Sequence, residues 1–129
     1  MFETTEFFAS FSVDDLSVAK RFYGETLGLD VWETDVGPEW LRELWLQQSG
    51  ERRVMIYPKP DHTPAMYTVL NFPVSDIGRV VDHLAARGVT MDTFDAYESD
   101  SRGIHRVGNH SIAWFRDPAG NVLAIDEEH

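Results

Sequence analysis

No cysteine occurs among the 129 residues, so disulfides, thiolate-held metals and a cysteine nucleophile are excluded. Basic side chains are scarce as well: 11 Lys and Arg stand against 22 Asp and Glu, a formal charge of −11. Nucleic acid, a polyanion, would be repelled at long range, whereas a cationic small molecule would be favoured. Acidity also serves plain solubility, so charge alone does not choose between these roles. No apolar run approaches the ~20 residues of a membrane helix, and low-complexity tracts and long linkers are missing. The N-terminus, Met1-Phe2-Glu3-Thr4-Thr5-Glu6, is acidic and lacks the basic and apolar regions of a secretory signal. The expectation is a cytoplasmic protein with neither a membrane nor a nucleic-acid partner.

What is present is a repeat. Ser12-Val13-Asp14-Asp15-Leu16 returns sixty-one residues later as Pro73-Val74-Ser75-Asp76-Ile77, each copy after an alternating strand-like run and before an amphipathic helix-like one. Two separate cores in a chain of this length would each be small, so a single domain over 1–129 is expected, built from modules at about 1–60 and 65–129.

The first helix is expected from Asp14 or Asp15, with Leu16, Ala19, Phe22, Tyr23 and Leu27 on its apolar stripe and Gly28 at its end. The second repeats the plan, with Ser75 or Asp76 as cap, Ile77, Val80, Val81 and Leu84 as stripe, and Gly88 as stop. Strands are expected at Leu29 to Thr34, Leu41 to Gln48 and Arg52 to Pro58, then at Thr90 to Phe94, Ser111 to Arg116 and Val122 to Asp126. The order is βαβββ twice, an α+β fold of curved mixed sheets around a cleft. Gly50 and Asp117-Pro118-Ala119-Gly120-Asn121 sit where each last hairpin must turn. Ala96 to His110 reads as an irregular stretch, either a binding loop or a solvated one.

The paired modules, the segment Val-Asp-Asp-Leu-Ser-Val-Ala-Lys-Arg-Phe-Tyr-Gly-Glu-Thr-Leu-Gly-Leu at 13–29, and Ile112-Ala113-Trp114-Phe115-Arg116-Asp117-Pro118-Ala119-Gly120-Asn121 resemble the vicinal oxygen chelate superfamily. It includes glyoxalase I, bleomycin-resistance proteins, fosfomycin-resistance enzymes and extradiol dioxygenases, so the resemblance implies a fold rather than one activity. It implies, for the enzymes, a divalent metal held by His, Glu or Gln from the first and last strand of each module. Those positions land here on Phe8 and Val69 in the first strands, and near Ile56 and Ala124 in the last. All four are apolar, and a zinc or iron site needs nitrogen or oxygen donors. A register error of one residue brings in no ligand either. The expectation is therefore no metal and no other cofactor, the alternative being a displaced site that uses His105 and His110.

Strand parity describes the expected cleft. Phe7, Ala9, Phe11, Val13, Met55, Tyr57, Leu70, Phe72, Val74, Leu123 and Ile125 should face the helices. The other face offers Phe8, Ser10, Ser12, Val54, Ile56, Tyr67, Val69, Asn71, Pro73, Val122, Ala124 and Asp126. An apolar floor with a few polar groups suits an organic ligand, although a sealed sheet interior would read alike. Of the four tryptophans, Trp32 and Trp114 fall in strands, and Trp40 and Trp45 in the region that forms a cavity wall in relatives. Trp45, Tyr67 and Trp114 are the expected walls; Ser10, Asn71 and Asp126 are the expected polar contacts.

Catalysis finds little support. Asp126 or a loop histidine could move a proton, yet neither is visibly paired with a nucleophile, and Ser10 and Ser12 have no base nearby in sequence. The leading expectation is a metal-independent small-molecule-binding protein resembling bleomycin-resistance proteins, taking a cationic or aromatic ligand as a homodimer. The alternatives are a glyoxalase-like lyase or isomerase, or dioxygenase, with a displaced metal site, and a ligand-free structural or regulatory dimer.

Overall fold

The computed structural model describes residues 1–3, 6–34 and 37–129, which form two compact units, Met1–Thr63 and Pro64–His129. The acidic N-terminal stretch includes Thr4 and Thr5, which lie outside the described residues.

In the first unit β1 (Ala9–Val13) leads into α1 (Leu16–Arg21), a π-helical turn at Phe22–Thr26, β2 (Asp30–Glu33), a 3-10 turn at Glu39–Leu41, β3 (Leu44–Gln48) and β4 (Glu51–Pro58). The second unit follows the same plan with β5 (Thr68–Pro73), α2 (Ile77–Ala86), β6 (His105–Val107), β7 (His110–Arg116) and β8 (Val122–Glu128). The sheet orders are β1-β4-β3-β2 and β5-β8-β7-β6, with the first strand of each module parallel to its last. The sequence repeat is thus a repeat of topology, an α+β fold.

Helix starts are set by carboxylates. Asp15 accepts from the backbone N–H of Ser17 and Val18 at 3.0 and 3.2 Å, and Asp76 accepts from that of Arg79 at 3.1 Å. Each satisfies N–H groups that the first helical turn leaves without partners. α1 does not continue as a regular helix to Gly28. Its last turn widens, with Leu27 N–H donating to the Phe22 carbonyl five residues back. The hairpins turn where expected: Ser49 and Gly50 take φ of 54° and 77° between β3 and β4, and Gly120 takes 90° before β8. The second turn is held by Asp117, buried, whose carboxylate accepts from the backbone N–H of Ala119 and Asn121 and from Asn121 Nδ2 at 2.9–3.0 Å.

Each helix covers one sheet face. Phe11, Val13, Leu44 and Ile56 meet Leu16, Ala19 and Tyr23 in the first unit; Ala113, Phe115, Leu123 and Ile125 meet Ile77, Val81 and Leu84 in the second. Three expectations need correction. Cross-strand partners share a face, and Ile56 is paired with Phe11 and Leu44, so Val54 and Ile56 face the helix whereas Met55 and Tyr57 face away. Phe7 lies ahead of β1 and is 97% exposed, outside any core. Thr90 to Phe94 is not a strand: Asp92 alone bridges Trp114, and the edge of β7 is shared with β6, which arises inside the stretch expected to be irregular.

That sharing positions the site. The chain leaves the β7 edge at Asp92 and regains it at His105, so residues 93–104 must arch outward between the two contacts. The return is fixed by Asp100, whose Oδ1 accepts from the N–H of Arg102 and Ile104 at 2.9 and 3.0 Å. Gly103 has φ of 83°, and a Cβ there would sit 2.8 Å from Met91 Cβ, so both conformation and space demand glycine. Arg102 ties the arch to α2 through Asp82 at 3.1 Å.

Candidate functional site

On the face of the second sheet away from α2, Trp114 pairs with Ala124 across β8, and its indole N–H donates to Thr68 Oγ1 at 3.2 Å. A bulge between Thr68 and Leu70 lets Thr68 share this face with Val122, leaving Val69 at the irregularity. The arch brings two further rings over Trp114. Phe94 stands edge-on at 5.2 Å between centroids, and Tyr97 lies near-parallel at 6.0 Å and 27°. With Tyr67, Met66 and Pro64 these rings surround a hollow of ≈ 360 Å³, floored by Thr68 and Val122 and rimmed by Arg116. Arg116 is held by Asp92 at 2.9 Å.

Aromatic walls at these spacings accept a flat ligand by stacking, each aromatic contact contributing about 0.5–1.5 kcal/mol beyond area burial. Of the expected walls, Tyr67 and Trp114 do meet in one hollow, Tyr67 being 72% exposed. Phe94 and Tyr97 were not anticipated. Their aromatic character was visible, but only the shared β7 edge turns them onto the sheet.

His105 lies behind these rings. It is fully buried, with ring centroids 5.1 Å from Trp114, 6.0 Å from Phe94 and 6.3 Å from Tyr97, and its Nε2 accepts from Phe94 N–H at 3.4 Å. His110 is engaged elsewhere: its Nδ1 is 2.8 Å from Asp126 Oδ1. The two histidines therefore do not converge. Asp126, expected as a polar contact, lies with Asn71 on the same sheet face as Trp114, but its carboxylate is shared with His110.

The first sheet carries the remaining candidates. On its face away from α1, Trp45 is covered by Phe8, edge-on at 4.8 Å, and is paired with Trp32 and Met55. The Arg52 guanidinium lies 4.0 Å from the Trp32 ring centroid and 5.4 Å from that of Trp45, so a cation of the chain itself already occupies this aromatic wall. Ser10 is exposed on the same face. Ser12 Oγ lies 2.7 Å from His62 Nδ1, a partner fifty residues away that no local spacing signals. His62 N–H also bonds the Lys59 carbonyl, so this contact fastens the turn after β4 to the sheet.

Ile56, at 0% exposure, faces the helix rather than the face expected of it, while Ala124, at 2% exposure, lies on the Trp114 face as expected. A metal does not fit the positions that the resemblance implies. Phe8, Ile56, Val69 and Ala124 supply no donor atom, and among the described residues no group of three or more His, Cys, Asp or Glu side chains converges.

The family model described as Glyoxalase/Bleomycin resistance protein/Dioxygenase superfamily matches residues 7–125. Among solved structures, TnmS3, an antibiotic binding protein from Streptomyces sp. CB03234, is 25% identical with a TM-score of 0.70, over 98% of each chain. A glyoxalase/bleomycin resistance protein from the same organism is 27% identical with a TM-score of 0.64, over 93% of this chain and 99% of that one. The fosfomycin resistance protein FosX from Listeria monocytogenes has a TM-score of 0.72 at 14% identity, over 98% and 92%, a likeness of fold alone. No curated protein matches significantly.

Proposed function

Because the chain belongs to the glyoxalase/bleomycin resistance protein/dioxygenase superfamily and lines one sheet face with an aromatic hollow, we propose that it is a metal-independent protein that binds a flat organic small molecule. The hollow carries the reading. Trp114, Tyr97, Phe94 and Tyr67 provide stacking surface in a space of ≈ 360 Å³, which lies within the usual range for small-ligand sites. The apolar residues at the four family metal positions support metal independence, since they leave an ion nothing to bind. The antibiotic-binding role of TnmS3, at 25% identity, supports a sequestering rather than a catalytic function.

The test is a thermal-shift screen of aromatic and cationic compounds, with tryptophan emission followed for each hit and metal content measured on the same protein. A ligand bound only by the folded state raises stability by ~2.7 kcal/mol at a hundredfold excess over its dissociation constant. Trp114→Ala should weaken a hit by about 2- to 12-fold, the loss of one good aromatic contact, while Trp40→Ala, exposed in the 3-10 turn, should not. One equivalent of a transition metal, with binding abolished by a chelator, would overturn metal independence. A screen without hits would overturn the binding role.

A further inference from the structure

His105 is an expensive choice for its position. Among the described residues, its Nδ1 is the buried side-chain nitrogen left without a hydrogen-bond partner. Phe94 N–H donates to Nε2, which assigns the proton of the neutral ring to Nδ1. The imidazole packs against the rings of Trp114, Phe94 and Tyr97, and aromatic faces are at best weak acceptors. A phenyl ring would fill the same nest without a buried donor. The informative point is that the same three rings wall the hollow.

We propose that His105 is the specificity-determining residue of the aromatic hollow, its Nδ1–H donating to a carbonyl or oxyanion oxygen of a planar aromatic ligand stacked against Trp114. This rests on the ligand-binding reading above and narrows it to one chemical class. Among the described residues the formally charged group lining the hollow is Arg116, which Asp92 engages at 2.9 Å. A cationic ligand would have to compete with Arg116 for the Asp92 carboxylate, despite the net charge of −11. Access requires the arch to give. Phe94 and Tyr97 are 38% and 48% exposed and lie outside regular structure. A flat ring inserted between Tyr97 and Trp114 needs about 7–8 Å between their planes, so the arch that carries Tyr97 must move outward from Trp114 to admit it.

Three matched probes test this by calorimetry and NMR: 1-methyl-4-quinolone with a carbonyl acceptor, 1-methylnaphthalene without one, and N-methylquinolinium as the flat cation. The wild-type protein should bind the quinolone about tenfold more tightly than the naphthalene, the effect of one buried hydrogen bond, and the cation no more tightly than the naphthalene. His105→Phe should abolish the preference while keeping naphthalene affinity. With 15N-labelled histidine in the wild type, the His105 Nδ1 resonance should shift with the quinolone and stay fixed with the naphthalene. That measurement decides the matter should His105→Phe fail to fold. Equal affinities, a preference for the cation, a preference that survives in His105→Phe, or an unmoved Nδ1 signal would overturn the inference and leave the broader binding role intact. Binding of none of the three would overturn the planar carbonyl class, while the wider screen separately decides whether the hollow binds anything.

Discussion

Ile56 and Met55 are neighbours with opposite surroundings. Ile56 is fully buried between its cross-strand partners Phe11 and Leu44 under α1, so Ile56→Ala should cost about 2–5 kcal/mol of stability. Met55 faces away from the helix and is only half-buried, so Met55→Ala should cost clearly less. Denaturant melts of the two variants check the face assignment directly, and equal losses would refute it. The same pair explains why strand parity could be read in β8 but not in β4. Leu123, Ala124, Ile125 and Asp126 alternate visibly in size and polarity, whereas Val54, Met55, Ile56 and Tyr57 are apolar throughout. A strand with two apolar faces gives no phase, and the irregularity between Leu46 and Gln47 shifts the pairing by one residue. His105 was likewise visible as a residue, but nothing local distinguishes a histidine sealed among rings from one in solvent.

At the scale of elements, capping and turn chemistry were legible because they are local. Asp15 and Asp76 cap as expected, and the Asp117–Asn121 turn closes the last hairpin. That turn depends on one buried carboxylate that accepts two backbone N–H groups and the Asn121 amide. Asp117→Ala leaves these donors unpaired and should destabilise the protein by about 2–4 kcal/mol, read as a fall in the denaturation midpoint without a change in slope. Asp76→Ala, at an exposed helix start, should cost about 1 kcal/mol. The elements that escaped were those set by tertiary pairing. Thr90 to Phe94 holds Thr90, Thr93 and Phe94, residue types suited to a strand, yet β7 offers it a single bridge because His105–Val107, three residues without a pattern of their own, takes the rest of that edge. The arch over Trp114, and with it half of the aromatic hollow, follows from that competition and could not be seen from either segment alone.

For the whole molecule, the duplicated βαβββ plan was the clearest signal in the sequence, since sixty-one residues separate matching strand, cap and helix in both copies. Each sheet keeps one helix-covered face and one that carries aromatic rings, among them Phe8, Tyr67 and Trp114. A homodimer is the expected assembly, and sedimentation at tens of micromolar, well above the dissociation constants of standard-size interfaces, should show a species of twice the chain mass; a lone monomer would contradict it. The strand order carries a consequence in time. Because β1 lies parallel to β4, the first sheet can pair fully only when Glu51–Pro58 has been made, and about 70 residues, 59–128, must then be translated before β8 is complete. At ~5–20 residues per second the ribosome needs roughly 4–14 s for them, ample time for a small sheet to form. The strands of the first repeat therefore have time to meet their own partners before the matching strands of the second repeat exist, which removes a competition that a duplicated plan would otherwise invite.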